Sequence, residues 1–235
     1  MRIPRIFYPF ELESNSEIEL DLASSNHLKV IKIKSNQVLE IFNGRGFFCE
    51  AVVLKIDKKI ITLQLGSNIN FVKKDTLQIN MAIAEIKNFD KIIREACQLG
   101  VTTICCIQTS RTKFTKMPSS QKLSRWETVA INSCEQCGLN WKPKILVISI
   151  EEWIKASESK NKLVLNPQSP ITLSDVKQSK SFDLAIGPEG GFSSDEIDLF
   201  QSNNFQSVSC GNLIFKTETM PIVVLSMVKA LFGDI

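Results

Sequence analysis

The chain has 235 residues, of which 43% are hydrophobic and 23% charged, and its formal net charge is +3. This composition is typical of a globular protein and leaves room for one large or two modest domains. No apolar run approaches the ~20 residues of a membrane span, and the N-terminus lacks the apolar core of a secretion signal. Seven cysteines, an odd number, favour reduced thiols in the cytoplasm over a disulfide framework.

The first part of the chain is predicted to be rich in β-strands. Alternating or β-branched runs predict strands at 18–22, 37–42, 47–56 and 60–65. An Asn-Gly pair at 43–44 is a strong hairpin signal. Only residues 24–34 have helical spacing, which places Leu28 and Ile31 inward, with Val30 as a third candidate for an inward position. These elements predict a small barrel of short strands with one helix.

From about Asn70 the pattern changes to strands that alternate with helices. Strands are predicted at 77–84, 101–107, 145–150, 163–165, 182–186 and 208–210. Helices are predicted at 90–99, 119–137, 151–159 and 219–231, with a short one that begins at the capping box Ser193 to Glu196. This alternation indicates a parallel sheet covered on both faces. We therefore divide the chain into domains 1–70 and 71–235, with the boundary between Ser67 and Lys74.

Two glycine-containing loops are the strongest functional signal. Residues 187–191 follow the predicted strand 182–186, and Gly211 follows the predicted strand that ends at Cys210. Glycine lets a chain turn tightly and approach a ligand without a side chain in the way. Because loops that follow parallel strands meet at the carboxyl edge of the sheet, these two are expected to form one small-molecule site.

Other motifs argue against several chemistries. His27 is the only histidine, which makes a catalytic triad or a multi-histidine metal site improbable. Cys134 and Cys137 have the spacing of half a zinc or redox site, but no second such pair completes it, so core packing is favoured and no metal is expected. The adjacent cysteines 105–106 in a strand should face opposite sides of the sheet. The glycine loops match neither a Walker loop nor a dinucleotide fingerprint.

Basic residues cluster in three acid-free patches. One runs from Gln108 to Arg125, a second lies around His27 and a third at the N-terminus. Separate patches on a nearly neutral protein suit a phosphate backbone tracked across its surface, although solvated helix faces are an equal alternative for any one patch. Together they favour a nucleic acid partner.

The two loops also carry a family resemblance. The run 186–196, with 211–219 after it, resembles the RsmE family of ribosomal RNA uridine-N3 methyltransferases. Further ordered matches are the opening 1–7, the helix at 26–30, the segment 99–101 and the helix end at 125–138. The chain departs from the family pattern at Leu139, Asn212 and Lys216, where members usually carry arginine.

The resemblance implies an α/β protein with an N-terminal PUA-like RNA-binding barrel and a C-terminal SPOUT domain with a trefoil knot. It implies a homodimer that binds S-adenosylmethionine in the knot and methylates N3 of a uridine in small-subunit (16S) rRNA. The alternative that stays open is a non-catalytic RNA-binding or ribosome-assembly factor that retained the fold. A small-molecule enzyme that uses the same pocket is a third possibility.

Site residues follow from the matched positions. The methyl donor is expected to contact Leu165, Asn166, Ile186, Gly187, Pro188, Glu189, Gly190, Gly191, Cys210, Gly211, Leu213, Ile214, Thr217 and Thr219. For catalysis we predict Lys216 as the stabilising cation and Glu218 as the proton acceptor or orienting group, with Glu189 as the competing carboxylate. Contacts with the RNA backbone are expected from Arg2, Arg5, His27, Lys29, Lys32, Arg111, Lys113 and Lys116.

Overall fold

The structure is a computed structural model that describes residues 3–112 and 118–233. Contacts between residues divide the chain into two units. The first contains the residues up to Lys74 together with Ile131–Lys142, and the second contains Asp75–Ala130 and the residues from Pro143 onward. Each unit has its own buried core. Within the described part of the chain, no helix has both the length and the apolar character needed to cross a bilayer.

The first unit is built on a sheet that joins six short strands. They are β1 (Arg5–Phe7), β2 (Glu17–Glu19), β3 (Val38–Phe42), β4 (Phe47–Ile56), β5 (Ile61–Leu65) and β6 (Asn70–Phe71). β1 pairs in parallel with β3, and the other pairs are antiparallel. The side-chain oxygen of Asn43 accepts hydrogen bonds from the backbone N–H groups of Arg45 at 2.9 Å and Phe47 at 3.3 Å. These bonds hold the β3–β4 turn and confirm the predicted hairpin.

Helix α1 (Leu22–Val30) covers this sheet, and the Asp21 carboxylate caps it. Leu28 is fully buried, as predicted. The expectation that Ile31 faces inward is wrong, since Ile31 is 47% exposed and Val30 is 80% exposed. The cause is the early end of the helix: Lys32 has a φ of 59°, which turns the chain so that Ile33 is buried instead.

The second unit is built on a sheet of six parallel strands. They are β7 (Gln78–Ala84), β8 (Thr103–Gln108), β9 (Lys144–Ser149), β10 (Asn161–Leu165), β11 (Ser181–Ile186) and β12 (Gln206–Val208). Their order across the sheet is β12-β10-β11-β7-β8-β9. Cys105 packs in the core on one face of the sheet and Cys106 in the core on the other, as their alternation in β8 predicts. Both faces are therefore covered, as expected for a parallel sheet.

Helices cover this sheet, and three of them begin at a serine side chain that accepts a backbone hydrogen bond, namely Ser119, Ser149 and Ser193. The helices are α2 (Phe89–Gln98), α3 (Ser120–Cys137), α4 (Ile150–Ala156), α5 (Ser194–Ser202) and α6 (Met220–Phe232). The last two turns of α3 belong to the first unit by their contacts. Pro221 lies in the first turn of α6, where a missing N–H leaves no helical bond unmade. These bounds agree with the predicted helices to within a few residues.

Candidate functional site

A cavity of about 270 Å³ lies at the carboxyl edge of the parallel sheet. Three loops enclose it: the residues after β10, the glycine-containing loop after β11, and the segment between β12 and α6. These strands are neighbours in the sheet, so the loops that leave them converge at one place. We call this space the loop cavity.

The loops are tied to one another by hydrogen bonds. The Thr217 hydroxyl, in a side chain that is almost fully buried, donates to the carbonyl oxygen of Gly187 at 3.3 Å. The backbone N–H of Asn166 donates to the carbonyl oxygen of Val208 at 2.9 Å. The structure thus joins the two glycine-containing loops that the sequence pointed to, and gives the cavity a fixed rim.

Two glycines are required for different reasons. A Cβ on Gly187 would lie 3.1 Å from the backbone nitrogen of Phe192 and 3.2 Å from its ring, so a side chain there would displace the loop. Gly191 has a φ of 68°, a backbone conformation that residues other than glycine rarely adopt. Nothing lies within 4 Å of the position its Cβ would take. The first is a steric requirement and the second a conformational one.

Arg111 supports the same loop from outside. Its guanidinium donates to the carbonyl oxygens of Gly190 at 2.5 Å and Phe192 at 3.3 Å. The capping box predicted at Ser193 and Glu196 is present, and the Glu196 carboxylate also accepts from the backbone N–H of Ser110. Arg111 was predicted as an RNA contact, and the structure adds a role in holding the glycine-containing loop.

Most residues predicted to contact the methyl donor line the loop cavity. They are Leu165, Asn166, Ile186, Gly187, Pro188, Glu189, Gly191, Cys210, Gly211, Leu213, Ile214 and Thr217. Gly190 and Thr219 are not part of the lining. Residues that the sequence prediction omitted are Pro167, Val208, Ser209, Phe215 and Met220. Each is within a residue or two of a predicted position, so loop adjacency was the available signal.

The predicted catalytic groups occupy two positions. Lys216 and Glu189 line the loop cavity, and both are exposed. Glu218 lies outside the lining, and its carboxylate accepts a hydrogen bond from the side-chain amide of Asn88 at 3.3 Å. A cation and a carboxylate therefore both line the loop cavity, and a second carboxylate, that of Glu218, lies two residues beyond Lys216.

The interior of the cavity suits the apolar part of a ligand, such as an aromatic ring. Leu165, Ile186, Val208 and Met220 are buried and provide apolar walls, while the glycine-containing loops present backbone groups. Burial raises the pKa of the Cys210 thiol to about 11, so this group is neutral near pH 7. An apolar slot edged by backbone donors and acceptors fits the ring of a nucleoside.

The predicted RNA contacts in the first unit differ in accessibility. His27 and Lys32 are exposed, and Lys29 is half-buried with its ammonium donating to the carbonyl oxygen of Lys58 at 2.9 Å. Arg2, Lys113 and Lys116 lie outside the described residues.

Arg5 is a correction to the predicted RNA contacts. Its side chain is buried, pairs with the Glu40 carboxylate, and donates to the Cys134 carbonyl oxygen at 2.8 Å and the Asn140 side-chain oxygen at 2.5 Å. The Cys134 side chain is also fully buried. A guanidinium with these partners stabilises the first unit and is not presented to a phosphate.

Comparison with known proteins supports both units. A family model described as an RNA methyltransferase domain matches residues 73–229, and an RNA methyltransferase PUA domain matches residues 20–66. Ribosomal RNA small subunit methyltransferase E of Buchnera aphidicola (subspecies Schizaphis graminum) is 30% identical, over 100% of this chain and 98% of the relative.

Two solved structures cover almost the whole chain. A putative methyltransferase of Legionella pneumophila, in complex with its bound cofactor SAM, has a TM-score of 0.93 and 29% identity over 100% of both chains. Ribosomal RNA small subunit methyltransferase E of Neisseria gonorrhoeae, bound to S-adenosyl methionine, has a TM-score of 0.90 and 25% identity over 98% of both chains. The likeness therefore extends over both units.

Proposed function

The chain belongs to the RsmE family of small-subunit ribosomal RNA methyltransferases, and from this membership we propose that it methylates N3 of a uridine in 16S rRNA. It is an S-adenosylmethionine-dependent enzyme with a PUA-like domain and a SPOUT methyltransferase fold. A non-catalytic assembly factor is not favoured, because the relatives are methyltransferases and two of them were crystallised with the methyl donor. The carrying observation is the loop cavity, where two glycine-containing loops converge at the carboxyl edge of the sheet.

The lining of the loop cavity fits the methyl donor. Its apolar walls suit the adenine ring, and Gly187 and Gly191 allow the tight turn of the loop that lines it. We propose that Leu165, Ile186 and Leu213 flank the adenosine. When bound, S-adenosylmethionine supplies a methyl group carried on a sulfonium, and the electron pair of the broken sulfur–methyl bond stays on sulfur. The protein's task is then to position the acceptor and to manage its proton.

Uridine N3 carries a proton that must leave before the nitrogen can accept a methyl group. We propose that Lys216 stabilises the negative charge that then spreads over the ring oxygens O2 and O4. The proton passes to a carboxylate, either Glu218 as first expected or Glu189, which lines the loop cavity with Lys216. The hydrogen bond from Asn88 keeps Glu218 beside the cavity mouth, where it can orient the base.

We propose that basic residues on both units hold the RNA backbone. Candidates are His27, Lys29 and Lys32 on the first unit and Arg111 on the second, together with Arg2, Lys113 and Lys116. A base within folded RNA must be turned out of its stack to reach the cavity, so these contacts would hold the flanking strand.

We further propose a cytoplasmic homodimer. The seven cysteines and an rRNA substrate support a cytoplasmic location.

Leu213 and Ile214 support the homodimer, because they are 74% and 83% exposed at the lip of the loop cavity. A second copy that covers them would remove this apolar surface from water. In sedimentation experiments Ile214→Asp should yield monomers, whereas Val30→Asp, at an equally exposed position of the first unit, should not.

The decisive experiment is methylation of small ribosomal subunits from cells that lack the protein. The purified enzyme and S-adenosylmethionine should add one methyl group, which nuclease digestion and mass spectrometry identify as 3-methyluridine. Methyl transfer to another base or to ribose would contradict the proposed acceptor and leave the methyltransferase assignment intact. No transfer to subunits or to their extracted rRNA would contradict the proposed function.

A further inference from the structure

A further cavity opens on the second unit, near the loop cavity. It has a volume of about 700 Å³ and lies between the segment that follows β7, helix α2 and the start of helix α3. We call it the cationic cavity, because its lining contains five cations: Lys87, Lys91, Arg94, Lys122 and Arg125. The lining contains a single carboxylate, that of Asp90.

The helical repeat explains why these side chains meet. Lys91 and Arg94 are three residues apart in α2, so they share the face that points away from the buried Ile92 and Ile93, and Lys87 lies just before the helix. Lys122 and Arg125 have the same relation on α3. Two polar helix faces that are distant in sequence therefore supply one basic surface.

Carboxylates neutralise only part of this charge. Lys122 pairs with the buried Glu85, and Arg125 donates to Asp90 at 2.6 Å. Lys91 is 3.7 Å from Glu95, within the same helix. Among the residues that the structure describes, Lys87 and Arg94 form no ion pair, and both are exposed. The cavity thus keeps an excess of positive charge that is open to solvent.

The two cavities lie at the same edge of the parallel sheet. Glu85 directly follows β7, the strand next to β11, so the cationic cavity lies at the same carboxyl edge as the loop cavity. Asn88 lines the cationic cavity and donates to Glu218, two residues beyond Lys216. A ligand in the cationic cavity would therefore contact a residue that holds Glu218, one of the two carboxylates proposed to accept the proton.

We propose that the cationic cavity binds backbone phosphates of the rRNA strand next to the target uridine. The inference rests on the proposed function and names the substrate subsite that function requires. A phosphodiester strand presents one negative charge at each nucleotide, which a row of lysine and arginine side chains can contact in sequence. Because these contacts involve phosphate rather than base edges, they position the strand without reading its sequence.

The test is the salt dependence of RNA binding. Lys87→Gln/Arg94→Gln removes the two cations that have no ion pair, and Lys160→Gln/Lys177→Gln is the matched control. The control residues are exposed and precede β10 and β11, so they lie at the opposite, amino edge of the sheet. Affinity for rRNA extracted from cells lacking the protein is measured at several salt concentrations, with calorimetric binding of S-adenosylmethionine as the check on folding.

For the first double variant, the slope of log K against log salt should become shallower by about one unit per lost cation. Its affinity for S-adenosylmethionine should equal that of the unaltered protein, and Arg94→Lys, which keeps the charge, should retain the full slope. Equal slopes for the test and control variants would overturn the inference while leaving the proposed function standing. Failure of the unaltered protein to bind the rRNA would overturn both.

Discussion

The loop cavity and the cationic cavity lie at the same edge of one sheet, but they are made from different parts of their residues. Backbone and glycines shape the loop cavity, in segments that are continuous in sequence. The cationic cavity is made mainly of long charged side chains from the segment before α2 and from two helices about thirty residues apart in sequence. The first is adapted to a ligand of fixed shape, and the second to a flexible chain of like charges.

This difference makes the two cavities separable by experiment. Substitutions that alter backbone shape should change the affinity for S-adenosylmethionine and leave the salt dependence of RNA binding intact. Substitutions that remove charge from the helix faces should do the reverse. A substitution of Lys216 belongs to neither class alone, since this residue lines the loop cavity but its proposed role concerns the RNA base.

The largest effect is expected for Lys216→Ala. Loss of a cation that stabilises the developing charge should reduce turnover by on the order of 10²-fold. Affinity for S-adenosylmethionine should change little, because the ammonium is proposed to act on the acceptor. Single-turnover kinetics with saturating rRNA measures the first quantity and calorimetry the second. Lys155→Ala, on the exposed face of α4, is the control, and equal turnover in both variants would remove Lys216 from the mechanism.

The next largest effect is expected for Gly187→Ala. Its Cβ would lie 3.1 Å from the Phe192 backbone nitrogen, so the loop must shift. Overpacking of this kind costs about 1–3 kcal/mol, which as a loss of affinity for S-adenosylmethionine would be roughly fivefold to 150-fold. Gly191→Ala is the matched comparison, because its Cβ has open space but its φ is 68°.

For Gly191→Ala the cost should therefore fall on folding, at about 1 kcal/mol of the free energy of unfolding, more than on affinity. Calorimetry measures the affinity of each variant for S-adenosylmethionine, and chemical denaturation measures its free energy of unfolding. Together they separate the steric requirement at Gly187 from the conformational requirement at Gly191. Equal losses of affinity in both would show that the loop responds as a whole.

A smaller effect is expected for Arg111→Ala, which tests where this residue acts. Loss of its hydrogen bonds to the carbonyl oxygens of Gly190 and Phe192 should cost about 1 kcal/mol, or roughly a fivefold weaker affinity for S-adenosylmethionine. If Arg111 instead contacts a phosphate, that affinity would stay constant and the salt slope of RNA binding would fall by about one unit. Arg111→Lys keeps the charge and should restore the slope but not the full affinity.

The same contrast explains how far sequence could predict the molecule. Parallel strands, their helices and the glycine-containing loops all leave short-range patterns, and the structure places most of the predicted donor-binding residues around one cavity. The family's trefoil knot, by contrast, is a property of how loops thread through one another, and no local periodicity encodes it. The expectation of a knot therefore rests on the family resemblance alone.

Side-chain environments were harder to predict than elements. Arg5 has the same charge as Lys32, but Glu40, Cys134 and Asn140 enclose it through contacts that span up to 135 positions in sequence. Ile31 has the spacing of a buried residue, but the turn at Lys32 leaves it exposed. The cationic cavity was missed for a related reason, since Lys87, Lys91 and Arg94 contribute to a patch only once α3 packs beside α2.

The smallest effect is expected for Cys210→Ser, which tests whether the loop cavity depends on shape alone. Burial raises the pKa of this thiol to about 11, above the ordinary value, so the group stays neutral between pH 6 and 9 and adds no charge to the cavity. Affinity for S-adenosylmethionine should then change by less than about threefold, as for the loss of one weak contact. Neither the unaltered protein nor the variant should show a titration of that affinity over this range that can be assigned to residue 210. Calorimetry at several pH values measures the affinity, and alkylation of Cys210 measures the thiol, with a rate that should keep rising up to pH 10. A plateau in that rate near pH 8 would place a thiolate in the cavity at physiological pH, and the account of an uncharged slot shaped by backbone would fail.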